Sequence, residues 1–221
     1  VLVCAIHFRD MTEFKLTKQG LKTSLDSLAS RDPAIRSALN EVGYPVERRA
    51  QTGFAVFMGI IVSQQLSVKA ASTIKSRVVA AAGGTLTPQA VMQLTDEQLR
   101  ACGLSHQKIR YSRYLCENVL SGNFDPEHLE KLDDAEAIER ITNLLGFGRW
   151  SAEMYLLFSL GRQDVWPAGD LAVQEAVKRL KKLETRPKPN EMDDIAKVWK
   201  PHRSAMAIFL WHYYSATPAI E

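Results

Sequence analysis

Cysteine is scarce: Cys4, Cys102 and Cys116 are the three in a chain of 221 residues. So few thiols, so widely scattered, exclude a disulfide framework and a zinc or iron–sulfur site, and they suit a reducing compartment. The five histidines fall at no spacing that would ligate a metal. No apolar run is long enough to span a bilayer, so no membrane partner is expected. Val1 to His7 is apolar but short and lacks a basic start, so a signal peptide is not expected there. Internal repeats and low-complexity tracts are also missing, which excludes solenoid and linker architectures. Neither sign of charge dominates: 28 Lys and Arg against 25 Asp and Glu leave +3. That mild basic bias is compatible with a nucleic-acid partner but suits many enzymes, so local placement of charge has to decide. The cluster Lys178, Arg179, Lys181, Lys182 and Arg186 reads as the decorated face of a helix, with long-range attraction of an anionic partner as its other use.

What is present is helix. Thr87-Pro88 and Thr95-Asp96-Glu97-Gln98 announce helix starts, the second with a capping box. Asp125-Pro126 and Asp133-Asp134 read as two more, and Asn190 as the residue before the penultimate helix. The run FAVFMGIIVSQQLSVKAASTIKSRVV from Phe54 reads as a buried helix, a turn and a second helix. Its polar insert Ser63-Gln64-Gln65-Leu66-Ser67 is hard to explain as core. Residues 1–14 are expected to be a tail, with Met11 a candidate start, and 15–221 a single helical unit.

The most informative stretch is LLGFGRWSAEMYLLFSLGRQDVWPAGDL, Leu144 to Leu171. Leu145-Gly146-Phe147-Gly148 forms a tight hairpin, and the apolar run Ile141 to Leu145 would end the helix before it. Glycine lacks a Cβ, so Gly146 and Gly148 permit a sharp turn and a close approach by a bulky partner. The amides opening the next helix have no intrahelical acceptor, and the dipole makes that end partly positive, which suits a phosphate. Taken alone, the same pattern describes an ordinary helix–helix connection. Asp170, following Gly169 and preceding LAVQEAVKRL, is a natural N-cap at a helix end that favours negative charge. On its own an N-cap aspartate only caps.

Together these segments resemble the helix-hairpin-helix DNA glycosylases, in which a Gly-x-Gly hairpin is followed further along the chain by an essential aspartate. Trp150 to Asp170 is that interval here. The Gly148-Arg149-Trp150-Ser151-Ala152 form is similar to the alkylpurine branch, typified by 3-methyladenine DNA glycosylase II. Ile60 to Ser67, and Trp199-Lys200-Pro201-His202-Arg203-Ser204 running on to Trp211, agree with it. The resemblance implies an all-α fold of two interleaved helical subdomains, with the helix-hairpin-helix at about 138–160 and the active site in the cleft between the subdomains. It implies a partner, damaged double-stranded DNA, and a monomer that acts in the cytoplasm of a prokaryote or the nucleus of a eukaryote.

The same resemblance implies roles. Asp170 is the catalytic carboxylate, since cleavage of a base–sugar bond passes through an oxocarbenium-like state that a fixed negative charge stabilises. Bifunctional relatives carry at the hairpin a lysine that attacks the sugar. Here Trp150 stands there, after Arg149, whose guanidinium is a poor nucleophile. Base excision without strand cleavage is therefore expected. Trp150 and Trp211 would line the base pocket, with Met154 and Tyr155 as further lining, because aromatic faces attract cationic alkylated purines. Core packing is the other reading of Trp211. Extrusion of the base needs a side chain to fill the gap, and Gln65 and Leu66 are both open as that wedge. Gly146, Gly148, Arg149, Ser151, Ser105, Lys108, Arg203 and Ser204 would meet the DNA backbone, giving affinity and register. No cofactor is required; a monovalent cation (Na or K) on the carbonyls of Leu145 and Phe147 is a family feature.

The expected activity is release of 3-methyladenine and 7-methylguanine, leaving an abasic site. Two alternatives stand beside it: an enzyme of the same fold with another damaged base, and a non-catalytic protein that binds abasic or distorted DNA.

Overall fold

A computed structural model of the protein describes residues 17–47 and 51–217. The expected tail at 1–14 lies outside them. Among the described residues there is no strand, and the chain is built of α-helices joined by short turns. They are α1 (Lys18–Arg31), α2 (Pro33–Val42), α3 (Phe54–Ser63), α4 (Val68–Ala81), α5 (Pro88–Gln93), α6 (Asp96–Cys102) and α7 (His106–Leu120). After them come α8 (Asp134–Thr142), α9 (Arg149–Phe158), α10 (Leu171–Lys181), α11 (Pro189–Ala196) and α12 (Arg203–Ala216).

Local chemistry explains most of the boundaries. Thr17, Asp32, Thr87 and Ser105 each accept a backbone N–H from the first turn they cap. Thr95 with Gln98, and Asp133 with Glu136, close reciprocal capping boxes. Three expected boundaries are displaced. The start read at Asp125 gives only a single 3-10 turn, His128–Lys131, although Asp125 accepts the Glu127 N–H. α11 begins at Pro189, ahead of Asn190, since proline needs no acceptor at a helix start. α8 ends at Thr142, so Leu144 and Leu145 belong to the hairpin and not to the helix before it.

Two compact units share the chain: Val1–Arg48 with Gly161–Glu221, and Arg49–Leu160. In the first, α10 packs on α12 and both meet α2, while α1 lies against α2 and α12. Leu21, Leu25, Leu28, Ile35, Val173, Val177, Phe209 and Leu210 are buried there. Each large apolar side chain removed from water contributes about 1.5–3 kcal/mol, so this helix cluster has a genuine core.

In the second unit α3, apolar throughout, is flanked by α4 and α7. Phe57 on α3 contacts Phe124, Phe147 and Tyr155 at ring-centroid distances of 5.0, 5.5 and 4.5 Å. Phe147 is the residue between the hairpin glycines, and it is buried. The hairpin is thus nailed to the central helix by an aromatic side chain. A satellite core of Val78, Leu94, Leu99, Cys102, Leu104 and Ile109 joins α4, α6 and the start of α7. No described helix is long and apolar enough to cross a membrane.

Candidate active site

Asp170 occupies the N-cap of α10. Its Oδ1 accepts the N–H groups of Ala172 at 3.0 Å and Val173 at 2.9 Å, and the indole N–H of Trp211 at 3.0 Å. Two donors come from a helix N-terminus and the third from a side chain on α12, so the carboxylate is fixed in direction as well as position. The preceding loop is held equally firmly. Asp170 N–H donates to Pro167 O at 3.0 Å, and Gln174, buried on α10, donates from Nε2 to Ala168 O at 2.7 Å. Trp166 is buried, gives its indole N–H to Met192 O and packs edge-on against Trp199. Asp170 and Trp211 themselves are only half-buried.

Burial of Ser204 corrects the expectation that it meets a DNA backbone, and Arg203 is engaged within the protein. Arg203 forks onto both carboxylate oxygens of Asp164 at 2.8 Å and onto the Asp164 carbonyl at 2.9 Å. Ser204 is fully buried; its hydroxyl donates to Arg162 O at 2.7 Å and accepts from Val165 N–H at 2.9 Å. Both therefore stitch the start of α12 to residues 162–165. The helix itself starts at Arg203.

In the other unit the hairpin runs from α8 to α9. Gly146 has φ +90°, and a Cβ there would lie 2.3 Å from the Tyr111 ring. Only glycine fits. Gly148, the N-cap of α9, has φ −98° and nothing within 4 Å of where its Cβ would be. The fold does not demand glycine at this second position. Arg149 is exposed and its Nε lies 2.8 Å from Oε1 of the buried Glu153. Leu145 is 39% exposed and Trp150 47% exposed, large values for such side chains. The Ser151 side chain is buried in the first turn of α9.

Tyr155 is corrected too. It is 1% exposed, its hydroxyl donates to Pro126 O at 3.3 Å and accepts from Gly53 N–H at 3.4 Å, and burial pushes its pKa up to about 12. It belongs to the core and cannot line an open pocket. Met154 stays half-buried, and it shares its face of α9 with Trp150 and Phe158, four residues either side. Phe158 went unnoticed in the sequence, although the i, i+4, i+8 spacing was there to find it.

The turn between α3 and α4 carries Gln65 at φ +56° and the exposed Leu66 at its tip. Two long-range bonds hold its base. Gln64 Nε2 donates to Gly146 O at 2.8 Å, and Lys108 Nζ donates to Val62 O at 2.8 Å. Lys108 is thereby a cap for the C-terminus of α3, and burial lowers its pKa. Ser105 remains exposed and caps α7 through its hydroxyl. Among the described residues no cluster of His, Cys, Asp or Glu could hold a metal ion.

Residues 58–201 match the family model for the HhH-GPD superfamily base excision DNA repair protein. The chain belongs to this superfamily. Among its HhH-GPD relatives, DNA-3-methyladenine glycosylase 1 of Schizosaccharomyces pombe is 37% identical over 154 residues, 68% of each protein. A DNA-3-methyladenine glycosidase of Bacillus halodurans has a similar crystal structure, with TM-score 0.74, 34% identity, and 85% of this chain and 87% of that one covered. A 3-methyladenine DNA glycosylase of S. pombe in complex with abasic DNA superposes with TM-score 0.78 at 32% identity, covering 86% of this chain and 95% of its own.

Proposed function

We propose that the protein is a monofunctional alkylpurine DNA glycosylase. It takes an alkylated purine, of the 3-methyladenine or 7-methylguanine type, out of duplex DNA and hydrolyses the bond to its sugar. The observation that carries the reading is the Asp170 carboxylate, held at a helix N-terminus by two amides and the Trp211 indole. A carboxylate so fixed costs no reorganisation when positive charge develops on the sugar.

In the reaction the bond between C1′ and the base nitrogen breaks, and its electron pair leaves with the base. A cationic purine departs neutral, so no general acid is required. Water adds through its oxygen to C1′, and its proton passes to the carboxylate or to solvent. Trp150 and Trp211 are the residues assigned to recognising the cationic base. Met154 is assigned beside Trp150. With tryptophan at the position of the lyase lysine, no Schiff base forms and the strand stays intact.

Gly148, whose hydrogen in place of a Cβ serves no internal packing, gives a phosphate room to reach the start of α9. Gly146 shapes that hairpin, and Arg149 and Ser105 are the exposed side-chain contacts on the same unit. Gln65 and Leu66 remain the wedge candidates. The carbonyls of Leu145 and Phe147 are neutral oxygen donors of the kind alkali ions accept, so a monovalent cation there would stiffen the hairpin without entering the chemistry. The protein would work as a monomer, wherever the cell keeps its DNA.

The test is release of free 3-methyladenine and 7-methylguanine from methylated DNA by the wild type and by Asp170→Asn. Release by the wild type alone supports the assignment. Equal release by both proteins removes Asp170 from catalysis, and a borohydride-trapped DNA adduct removes the monofunctional reading.

A further inference from the structure

The turn that carries Gln65 and Leu66 is not a free loop. Its first residue, Gln64, is half-buried and reaches across to the hairpin, giving its amide N–H to the carbonyl of Gly146 at 2.8 Å. The acceptor cannot shift easily. Gly146 sits at φ +90° against the face of Tyr111, whose hydroxyl accepts from Gln107 Nε2 at 2.5 Å, and Phe147 beside it is buried on Phe57. At the same end of the turn Lys108 clamps Val62 O, the last carbonyls of α3 having no intrahelical donor. Gln65, next in the chain, takes a left-handed backbone that only a constrained non-glycine residue keeps.

We propose that Gln64 is a positioning residue for base extrusion, locking the turn that enters the duplex to the hairpin that grips its backbone. Gln64 does not itself fill the gap. Its amide fixes the distance between two DNA-facing elements, so that hairpin docking and insertion of the Gln65–Leu66 tip occur in register. The inference rests on the glycosylase reading above. It predicts a defect in extrusion and none in bond cleavage, because Gln64 lies in a different unit from Asp170.

The experiment compares wild type, Gln64→Ala and Gln65→Ala. Single-turnover excision of 7-methylguanine is measured from a matched duplex and from a one-nucleotide bulge, where extrusion costs little. In the free proteins, hydrogen exchange is followed at the amides of Leu66 and Phe147, which bond to Ser63 O and Leu144 O. Gln64→Ala is expected to slow excision from the matched duplex by about tenfold, the worth of one such hydrogen bond, and to leave the bulge nearly unaffected. Exchange at both amides should quicken in Gln64→Ala and stay unchanged in Gln65→Ala. Equal loss on both substrates, or unaltered exchange, overturns the proposal. If the wild type releases base from neither substrate, the glycosylase reading fails, and with it the extrusion role; the exchange data would still report whether the tether exists.

Discussion

The indole N–H of Trp211 lies 3.0 Å from Oδ1 of Asp170, on the same oxygen that accepts the Ala172 and Val173 amides. One side chain thus joins the middle of α12 to the start of α10 at the carboxylate itself. Both readings of Trp211 offered by the sequence, packing and recognition, omit this bond.

Removing the charge of Asp170 tests the electrostatic role directly. Asp170→Asn keeps an oxygen for the two amides, so the N-cap and the fold should survive. Base release should fall about 10²–10³-fold, the usual cost of losing one well-placed electrostatic group. Single-turnover excision together with far-UV circular dichroism checks both halves. A folded variant with wild-type rates would show that Asp170 only caps.

Trp211→Phe isolates the indole N–H while keeping an aromatic face. The rate of base release should fall about tenfold at saturating DNA, with DNA affinity little changed, because one hydrogen bond to a charged group is lost. Trp211→Ala should do more, since it also removes the face. If Phe and Ala variants behave alike, the hydrogen bond accounts for the entire role of Trp211.

Arg203 separates an internal clasp from a phosphate contact. It binds both oxygens and the carbonyl of Asp164 with the side chain 22% exposed. Arg203→Met should lower stability by about 1–3 kcal/mol and slow excision, because the same helix carries Trp211. The salt dependence of DNA binding should not move. A phosphate contact would instead reduce the slope of log K against log[salt] by about one unit.

How much of this was legible in the sequence depended on whether a residue acts through its neighbours along the chain. Asp170 as an N-cap, the capping box at Thr95, the helix start at Asp133 and the hairpin glycines are local features, and local chemistry identifies them. Lys108, Arg203 and Ser204 are DNA-backbone contacts by the family resemblance alone, and the sequence gives no sign of the partners each has inside the fold. Their partners lie 46, 39 and 42 positions away, and no periodicity encodes such distances. Tyr155 was misplaced for a related reason. On α9 it neighbours Met154, but one step along a helix turns the side chain by about 100°, from the open face to the core. Gln64, next to a residue that was singled out, bonds to a hairpin 82 positions on.

The two hairpin glycines make opposite demands, and that difference is the sharpest test of the DNA-facing assignment. At Gly146 a methyl group would collide with the Tyr111 ring and hold a strained backbone at φ +90°. Gly146→Ala should therefore cost about 1–3 kcal/mol of stability from strain alone, and disturb the Gln64 bond with it. At Gly148 the backbone is extended, φ −98° and ψ 176°, and the space beyond is open. Gly148→Ala should change stability by less than about 1 kcal/mol, because the smaller unfolded-state freedom of alanine offsets its poorer fit at the N-cap. The same methyl group would stand between the α9 amides and a phosphate, so DNA affinity should fall in a protein about as stable as the wild type. Thermal denaturation and fluorescence anisotropy on an abasic duplex measure the two effects separately. Undiminished affinity in Gly148→Ala would mean that the backbone of DNA does not approach the protein at this hairpin.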